Sequence, residues 1–472
     1  MHCSLPSEHS RLRLLAEWCL CFVMVVVIFR TWYLEGMVIP VKVGGGSMAP
    51  TLLGPHRDVI CADCGYRFLC GTDVDPVSEM AACPNCGYAE NDLYLRPDLD
   101  GDRVLVHKTI FRLRRPHRWE VVAFRRPSRA DRVLVKRVVG LPGESVQVRG
   151  GDVYIDGQVQ RKDLAHQRTL AVLVHDAGNQ PIFEPLPPPR WRFGPESQWG
   201  SNGGRFAHTA TGEEGSFDWL VYHHWRRVAG AAPGGPDPPV VESPVTDLCA
   251  YNQWQSRRDE DVNIVTDLML SMRLVETRGQ GLLVLRATDG RDEFDVRLDP
   301  VRGRYEILQN GRPVPAAIGR IPAWDGELWI EFSLFDQQLL LAFNGETRVQ
   351  WPYDPAPTLP QPTAQPLAIG AQGLGVLIRE LRVYRDVYYT HPPFAGKGAG
   401  LDQPCALGEH EYYVLGDNSP ISEDSRTWPE GPAVPGCLLV GKPLFVHFPA
   451  KRVQIGSWVF QVPDPTRIRY IR

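Results

Sequence analysis

Short runs of alternating apolar and polar residues, separated by turn-forming residues, make up most of the chain. Four of these runs are GDRVLVHK (101–108), WEVVAFRRP (119–127), VLVKRVVGLPGE (133–144) and YYVLGDNSPISEDSRTW (412–428). Alternation with a period of two is typical of β-strands, and Gly, Pro, Asp and Asn are typical of the turns that end them. The pattern therefore predicts a mainly β fold.

A second group of strand-like runs occupies residues 164–389. Asp-Gly or Asn-Gly lies between the runs in RATDGRDEF, EILQNGRPV and LLLAFNGETRV, which indicates β-hairpins. Short strands at regular spacing predict a sandwich of two sheets. The strand rhythm and the FNG hairpin resemble laminin-G and concanavalin-like lectin sandwiches, but a likeness of fold carries no ligand with it. We expect this unit to fold independently and to hold no catalytic residue.

The N-terminal segment departs from the β pattern. Trp18–Phe29 is an uninterrupted apolar run, and residues 12–34 reach the length of a membrane span if the flanking charges lie at its ends. We expect a single transmembrane anchor over 12–34. The bulky IFRTWYLEG that follows the run argues against a cleaved signal peptide, which needs small residues at its cleavage site. Arg11 and Arg13 before the run predict that the chain after it lies outside the cytoplasm.

Length and charge exclude some classes of protein. A chain of 472 residues is long enough for about three domains. The formal net charge is −4, and no basic run interleaved with aromatic residues suggests a nucleic-acid partner. With 42 prolines and 44 glycines the chain favours many turns and short strands over long helices.

Four of the eleven cysteines form two C-x2-C pairs, in CADCGYRF and ACPNCGY, with eighteen residues between the pairs. This spacing predicts a zinc ribbon in which each pair makes a tight knuckle and Gly65 or Gly87 takes the left-handed position at its end. Outside the cytoplasm the alternative is two disulfides. Four thiolates leave no open coordination position, so we expect a structural metal. The predicted ligands are Cys61, Cys64, Cys83 and Cys86.

Ser47 and Lys136 are the candidate chemical groups. Ser47 follows three glycines in VIPVKVGGGSMAPTLLG, where a serine is usually only a turn residue. Lys136, in VLVKRVV, shares a strand face with Leu134 and Val138. An ammonium held among apolar side chains loses solvation, so its pKa falls and it can act as a base near neutral pH. The alternative is a lysine that extends to solvent at a strand edge.

Four stretches in chain order, GGGSMAPTLLG, GDRVLVHK, VKRVVGLPGE and GDNSPISEDSR, resemble the sequence boxes of bacterial type I signal peptidases. These are membrane-anchored peptidases that use a serine and a lysine. The resemblance covers residues 38–53, 101–163 and 409–449. It leaves out the ribbon and most of the middle segment, although the family often carries a non-catalytic domain between the lysine box and the last box.

The resemblance implies a signal-peptidase-type β core that two insertions interrupt. The expected parts are the anchor over 12–34, a first part of the core over 38–163 with the ribbon at 61–87, the inserted lectin-like sandwich over 164–389, and a second part of the core with a C-terminal tail over 403–472.

Carried over by position, the resemblance implies a role for each matched residue. Ser47 is the nucleophile, Lys136 is the general base, and Ser422 orients the lysine. Supporting roles fall to a pair beneath the site and to the start of its turn, namely Asp424, Arg426, Asp417 and Asn418. One position departs from the family pattern, because Gly45 stands where many members have a serine that helps to hold the oxyanion. The second oxyanion donor, beside the Ser47 N–H, is therefore unassigned.

The implied activity is removal of signal peptides from exported precursor proteins at the outer face of the cytoplasmic membrane. Catalysis would need no cofactor, the partners would be precursors and the lipid bilayer, and the ligand of the sandwich is unknown. Another Ser/Lys peptidase, such as a self-cleaving repressor, is an alternative, but the chain shows no DNA-binding module. The other alternative is a membrane-tethered binding protein that displays the sandwich on an inactive core.

Overall fold

The computed structural model describes most of the chain, and the statements below concern that part. The described residues are 8–30, 35–73, 79–126, 129–210, 215–227, 240–252, 262–390, 400–401, 403–455 and 458–471. Strands dominate these residues, so the predicted mainly β fold is confirmed.

The N-terminal helix does not support the predicted anchor. Helix α1 is Glu8–Ile28, and a one-turn helix, α2, follows at Glu35–Met37. Within the described residues no helix combines the length and the apolar character that a membrane span requires. The transmembrane helix predicted over 12–34 is therefore unsupported, and residues 31–34 of that prediction lie outside the described residues. Within this helix Arg13 Nε donates to Glu17 Oε1 at 3.2 Å.

In the described part of the chain, eleven strands and a third helix lie between α2 and the middle segment. The strands are β1 Val38–Lys42, β2 His56–Ile60, β3 Arg67–Gly71, β4 Met80–Ala81, β5 Asn91–Asp92, β6 Arg103–His107, β7 Val121–Arg126, β8 Arg129–Gly140, β9 Ser145–Arg149, β10 Asp152–Ile155 and β11 Gln158–Val159, and the helix is α3 Ile110–Leu113. Strands β2 with β3 and β4 with β5 form two small hairpin-like pairs around the cysteine pairs.

The middle segment begins with helix α4, Leu164–Leu170, which Asp163 caps by accepting from the His166 N–H. Its strands are β12 Val172–Asp176, β13 Trp191–Arg192, β14 Trp199–Asn202, β15 Arg205–His208, β16 Asp218–Tyr222, β17 Trp225–Arg227, β18 Val240–Glu242, β19 Leu268–Arg278, β20 Leu282–Thr288, β21 Glu293–Asp299, β22 Arg304–Gln309, β23 Arg312–Arg320, β24 Leu328–Phe335, β25 Gln338–Phe343, β26 Glu346–Pro352, β27 Leu367–Gln372 and β28 Gly375–Arg385.

Two large antiparallel sheets in this segment share one apolar core. One sheet has the order β14-β15-β28-β19-β24-β25-β26 with β12 on β28, and the other has the order β13-β16-β27-β20-β21-β22-β23. Phe294, Phe332 and Phe343 are buried in the common core. The predicted hairpins form as expected, because Asn310 and Asn344 each adopt φ of +51° at the turns between β22 and β23 and between β25 and β26.

Strands from both sides of the middle segment build the remaining core. The last strands are β29 Cys405–Ala406, β30 Glu411–Leu415, β31 Ala433–Pro435, β32 Leu439–Phe448, β33 Ala450–Ile455, β34 Trp458–Pro463 and β35 Arg469–Tyr470. The main core sheet has the order β1-β6-β32-β7-β8-β30-β31, and β35 pairs with β32. A smaller sheet has the order β11-β10-β9-β29. Because β30 pairs with β8, the turn after β30 is brought beside Lys136.

Candidate active site

Ser47 lies on the serine loop, which we define as residues 43–53. A short 3₁₀ helix, Gly46–Met48, carries it directly after β1. The Leu52 N–H donates to the Met48 carbonyl oxygen at 2.9 Å, and both of these side chains are buried. The apolar residues therefore fix the loop against the core and leave Ser47 half-buried at its surface.

Lys136 lies in the middle of β8, opposite Val122 of β7. It is 3% exposed, so the alternative of a lysine that extends to solvent is wrong. Its Nζ donates to Ser422 Oγ at 2.9 Å. Burial lowers the pKa of Lys136 to about 8, although the negative charge of Asp424 acts in the opposite direction. A substantial fraction of this amine is therefore neutral near physiological pH.

The terminal loop, which we define as residues 416–426, brings Ser422 to the serine loop. A methyl group on Gly416 would lie 2.1 Å from Ser422 Oγ and 2.5 Å from the Ser47 carbonyl oxygen, so the two loops approach each other too closely there for any side chain. The Asn418 N–H also donates to the Ser47 carbonyl oxygen at 3.0 Å. In the described part of the chain no hydrogen bond joins Ser47 Oγ to Lys136 Nζ, which bonds to Ser422.

Two buried ion pairs support the terminal loop. Arg426 Nε and Nη2 donate to the two Asp424 carboxylate oxygens at 2.8 and 2.7 Å. Arg137 Nε and Nη2 donate to Asp417 in the same way at 2.8 and 2.7 Å. All four side chains are 0% exposed. Asp424 also accepts from the Gly416 N–H at 3.0 Å, so it fixes the position where the two loops meet.

The ionised state of Asp424 depends on its partner. Burial alone would raise the pKa of this carboxyl, but the Arg426 guanidinium lowers it below its ordinary value. The same carboxylate attracts the Lys136 ammonium. Asp424 therefore acts on the lysine through charge as well as through the position of the loop.

Arg137 is a site residue that the sequence analysis missed. It follows Lys136 directly and, by strand alternation, points to the other face of β8. Besides binding Asp417, its Nη1 donates to the Trp119 carbonyl oxygen at 2.6 Å. A fully buried arginine needs a carboxylate partner, and Asp417 of the GDN turn is that partner here. A search for a partner to Asp417 would have found it.

The middle segment also reaches the site, which the sequence analysis did not expect. Thr390, the residue directly after this segment, donates its N–H to Ser419 Oγ at 2.9 Å, and its carbonyl oxygen accepts from Arg426 Nη1. Asn252 forms an amide pair with Asn418, and the Tyr251 ring packs beneath the serine loop. No local pattern around these residues signals a contact with the core.

The surroundings of Gly45 bear on the missing oxyanion donor. The backbone there is extended, with φ of −150° and ψ of 163°. The next N–H, that of Gly46, donates to Asp73 Oδ2 at 2.7 Å. This N–H is therefore occupied by a carboxylate of the ribbon segment. It is not a free second donor beside the Ser47 N–H.

The four predicted metal ligands meet in one buried cluster. Their Sγ atoms all lie within 4.8 Å of one another. The Cys61 and Cys86 sulfurs are 3.6 Å apart, and the Cys64 and Cys83 sulfurs are 3.7 Å apart. Zinc–sulfur bonds of about 2.3 Å place tetrahedral ligands about 3.8 Å apart, whereas a disulfide requires about 2.05 Å. The spacing fits a tetrahedral metal and does not fit disulfides.

The local backbone has the predicted knuckle geometry. Gly65 and Gly87 have φ of +71° and +69°, the left-handed region that glycine adopts without strain. Their N–H groups donate to the carbonyl oxygens of Cys61 and Cys83 at 3.0 and 2.9 Å. Each turn is therefore closed on its first cysteine.

The ribbon packs against the middle segment. Asn85 Nδ2 donates to the Asn179 carbonyl oxygen at 2.9 Å, and Asn85 Oδ1 accepts from the Asp176 N–H at 2.8 Å. Arg227 Nη2 donates to Asp63 Oδ2 at 3.1 Å. Because Asn85 and Asp63 lie inside the two C-x2-C knuckles, the cysteine cluster and the sandwich are in direct contact.

Comparison with known proteins bears on the strand that carries Lys136. Residues 95–185 match the family "Signal peptidase, peptidase S26". The chain is similar to type I signal peptidases. It is 35% identical over 81 residues to Signal peptidase I V of Bacillus subtilis, covering 17% of this chain and 47% of that protein. It is 39% identical over 64 residues to Probable signal peptidase I-2 of Synechocystis sp., covering 12% and 29%.

A third curated relative is Signal peptidase I of Leptolyngbya laminosa, which is 40% identical over 65 residues that cover 12% of this chain and 32% of that protein. The chain spans less than half the length of these curated relatives. The matches support a peptidase of the signal peptidase I type, and the matched family region contains Lys136 but neither Ser47 nor Ser422.

Solved structures with some similarity include a carbohydrate binding module and a protein with a galectin-like fold. Carbohydrate binding module CBM66 from Bacillus subtilis has a TM-score of 0.21 and 9% identity, covering 35% of this chain and 94% of the module. A protein with a galectin-like fold from the same organism has a TM-score of 0.25 and 11% identity, covering 42% of this chain and 90% of that protein. Scores this low carry no argument about a ligand.

All of the residues that the peptidase resemblance singled out lie in one region of the molecule. That region joins the serine loop, the middle of β8 and the terminal loop, and it contains Ser47, Lys136, Ser422, Asp424, Arg426, Asp417 and Asn418.

Proposed function

We propose that this chain is a serine endopeptidase that removes signal peptides from exported precursor proteins, with Ser47 as nucleophile and Lys136 as general base. The observation that carries the proposal is the state of Lys136. Its amine is buried, its pKa is lowered to about 8, and it is bound to a serine that adjoins the Ser47 backbone. The match of residues 95–185 to the signal peptidase family supports the same reading.

In the proposed reaction, neutral Lys136 takes the proton of Ser47 Oγ as this oxygen attacks the carbonyl carbon of the scissile peptide bond. The carbon–nitrogen bond then breaks, and the protonated lysine gives its proton to the leaving amine. This leaves the substrate acyl group as an ester on Ser47. Water attacks the ester with Lys136 again as base, which frees the acid and restores the serine.

Ser422 has an orienting role in this proposal. Its hydroxyl accepts from Lys136 Nζ at 2.9 Å and holds the amine beside the serine loop. Catalytic hydrogen bonds often shorten only when substrate is bound, so the proposal expects Lys136 Nζ to bond to Ser47 Oγ in the substrate complex. Asp424 with Arg426, and Asp417 with Arg137, hold the loop in place and take no part in proton transfer.

The cysteine cluster would hold a zinc ion with Cys61, Cys64, Cys83 and Cys86 as ligands. A bound zinc would fix the fold of the ribbon, because four thiolates fill its coordination sphere. The proposed peptide hydrolysis needs no metal, since the lysine supplies the base. Metal analysis of protein purified without added zinc should find one zinc per chain, and fully oxidised cysteines without metal would contradict this assignment.

The proposed substrates are exported precursors with small residues, such as Ala, at the first and third positions before the cut. Such substrates place the reaction at the outer face of the cytoplasmic membrane. Shallow pockets beside an exposed strand edge would read these side chains while the substrate backbone pairs with the strand.

The direct test is cleavage of a precursor by the purified full-length chain, with the products identified by mass spectrometry. The proposal expects one cut after the signal peptide, loss of that cut in Ser47→Ala, and a loss of about 10- to 100-fold in Ser422→Ala, because the lysine loses its orienting partner. Binding of precursor without cleavage by the wild type, or full cleavage by Ser47→Ala, would overturn the proposal.

A further inference from the structure

A short stretch of the middle segment, residues 164–389, lies against the serine loop. This segment is called the middle domain below. The stretch is the 3₁₀ helix Ala250–Asn252, between β18 and β19. Tyr251 is 4% exposed and Asn252 is 7% exposed. The peptidase resemblance does not extend to this stretch, and nothing in the proposed reaction so far uses it.

Asn252 and Asn418 form a reciprocal amide pair. Asn252 Nδ2 donates to Asn418 Oδ1, and Asn418 Nδ2 donates to Asn252 Oδ1, both at 2.8 Å. The same Asn418 Nδ2 donates to the Gly46 carbonyl oxygen at 2.9 Å. Since a side-chain amide has two N–H groups and one carbonyl, these contacts fix which way the Asn418 amide faces. Asn252 therefore determines that the N–H side of Asn418 faces Gly46.

The Gly46 carbonyl matters because of the group to which it belongs. The Gly46 C=O and the Ser47 N–H are parts of one planar trans peptide group and point in opposite directions. A hydrogen bond that fixes the Gly46 carbonyl oxygen therefore also fixes the direction of the Ser47 N–H. That N–H is the proposed oxyanion donor, and such donors act only when they are aimed in advance.

The Tyr251 ring supports the same peptide from below. A methyl group on Gly46 would lie 2.3 Å from Tyr251 Cε1, so the ring lies directly against this glycine. The Tyr251 hydroxyl donates to the Pro55 carbonyl oxygen at 3.0 Å, and the ring packs with Ala49 and Leu53 of the serine loop. The loop therefore rests on an aromatic side chain that the middle domain supplies.

We propose that Asn252 is a positioning residue for the reaction: through Asn418 it aims the Ser47 N–H at the oxyanion. Tyr251 holds the same peptide in place. The middle domain is then part of the working enzyme, because it provides contacts that the core lacks. This inference rests on the proposed peptidase function for its kinetic consequences, but the contacts themselves can be tested without catalysis.

The kinetic test uses the full-length chain with Asn252→Ala. We expect kcat for precursor cleavage to fall about 10- to 100-fold, as for a misaimed oxyanion donor, while KM changes by less than about twofold. The pH midpoint of kcat should stay where it is in the wild type, because Asn252 does not contact Lys136. A matched control is Gln167→Ala, which removes another buried amide, one that bonds to Ser333 and to the Lys162 carbonyl oxygen rather than to the serine loop or the terminal loop.

Two further variants separate positioning from general support. The double variant Asn252→Ala with Asn418→Ala should lose no more activity than Asn418→Ala alone, because Asn252 acts through Asn418. Asn252→Asp keeps a polar group and an acceptor but cannot donate to Asn418 Oδ1, so it should show an intermediate loss even if the alanine variant folds poorly. Independent, multiplying losses in the double variant would overturn the proposal.

A readout without catalysis is hydrogen exchange, followed by mass spectrometry on the peptide that covers residues 43–53. Asn252→Ala should speed exchange in this peptide, and Gln167→Ala should not. If Ser47→Ala abolishes cleavage while Asn252→Ala changes neither kcat nor exchange, the positioning role is wrong and the peptidase proposal stands. If the wild type cleaves no precursor but Asn252→Ala speeds exchange, the peptidase proposal fails and the contact is upheld.

Discussion

Two lysines of this chain are buried to nearly the same extent but differ in the partners of their amines and in the direction of their pKa shifts. Lys136 is 3% exposed and Lys162 is 2% exposed. Lys136 Nζ bonds to a neutral hydroxyl, that of Ser422. Lys162 Nζ contacts two carboxylates, Asp336 and Asp386, the second at 2.8 Å. Burial lowers the pKa of Lys136 to about 8, whereas at Lys162 the two carboxylates overcome burial and raise the pKa above its ordinary value.

The comparison teaches that burial alone does not leave a lysine neutral, and so able to accept a proton, near neutral pH. What distinguishes the two sites is whether a carboxylate touches the ammonium. At Lys136 the carboxylate that acts most strongly, Asp424, is bound by Arg426 through two hydrogen bonds, and the Arg426 charge opposes its effect on the lysine. Lys162 is a structural cation, and Lys136 is suited to exchange its proton.

The largest expected effect is on activity. Ser47→Ala and Lys136→Ala should each lower kcat/KM for precursor cleavage by about 10⁴-fold or more, since members of one proton-transfer unit fail together. Lys136→Arg should fail as well, because a guanidinium does not give up its proton. Lys108, an exposed lysine near the site in sequence, is the matched control. Near-full activity in Lys136→Ala would remove the base assignment.

The next effect is on stability at the other lysine. Lys162→Met should destabilise the protein by about 3–5 kcal/mol, because it leaves two carboxylates buried without their cation. Chemical unfolding of the full-length chain measures this as a lower denaturant midpoint. Per folded molecule, cleavage should remain within a few-fold of wild type. A stability equal to that of the wild type would show that the ion pair has no net structural role.

Lys136→Met should instead stabilise the protein at neutral pH. A folded pKa of about 8 against an ordinary value of 10.5 corresponds to about 3 kcal/mol of destabilisation at neutral pH. Because the pKa is lower in the folded protein, protonation of Lys136 lowers the free energy of unfolding. The wild type has its full stability above about pH 10.5, and this contribution is lost as the pH falls through 8. Lys136→Met also removes a hydrogen bond worth about 1 kcal/mol, so a gain of about 2 kcal/mol remains at pH 7.

That gain can be checked by the pH dependence of unfolding. The difference in denaturant midpoint between Lys136→Met and wild type should shrink between pH 8 and pH 10. If Lys136→Met were less stable than wild type at pH 7, the site would stabilise the charged form of Lys136. The two lysines would then not differ in the way proposed.

Local sequence patterns predicted the site around Lys136 but not the ion pairs of Lys162. Ser47, Lys136 and Ser422 stand in short motifs whose residue types and order predicted the candidate site, and the cysteine pairs have a fixed spacing. Lys162 has no such motif, because its partners Asp336 and Asp386 follow it by 174 and 224 residues in the chain. Tyr251 and Asn252 were missed for the same reason, since their contacts depend on how the middle domain packs on the core.

Two expectations of the sequence analysis rested on local patterns alone. The predicted anchor over 12–34 assumed that the charges flanking the apolar run lie at the ends of a span, and no helix in the described part of the chain has the length and apolar character that a span requires. The expectation that the middle segment folds independently and holds no catalytic residue rested on its pattern of regularly spaced strands. Such a pattern indicates the fold of a domain and says nothing of the surface on which the domain packs.

The smallest expected effect concerns the pH midpoint of kcat. Lys136 must be neutral to accept the serine proton, so kcat should rise with pH and level off above about pH 8. Asp424 raises the pKa of this lysine through its charge, and Arg426 lowers it. Asp424→Asn removes the attraction and leaves the guanidinium, so the midpoint should move to lower pH, on the order of one unit.

Asp417→Asn is the matched control, because Asp417 is equally buried and paired with an arginine but acts less strongly on Lys136. Its shift should have the same direction and a smaller size, measured on cleavage of one precursor from pH 6 to pH 10. A midpoint that rises in Asp424→Asn, or that moves further in Asp417→Asn, would mean that a group other than Lys136 controls the profile.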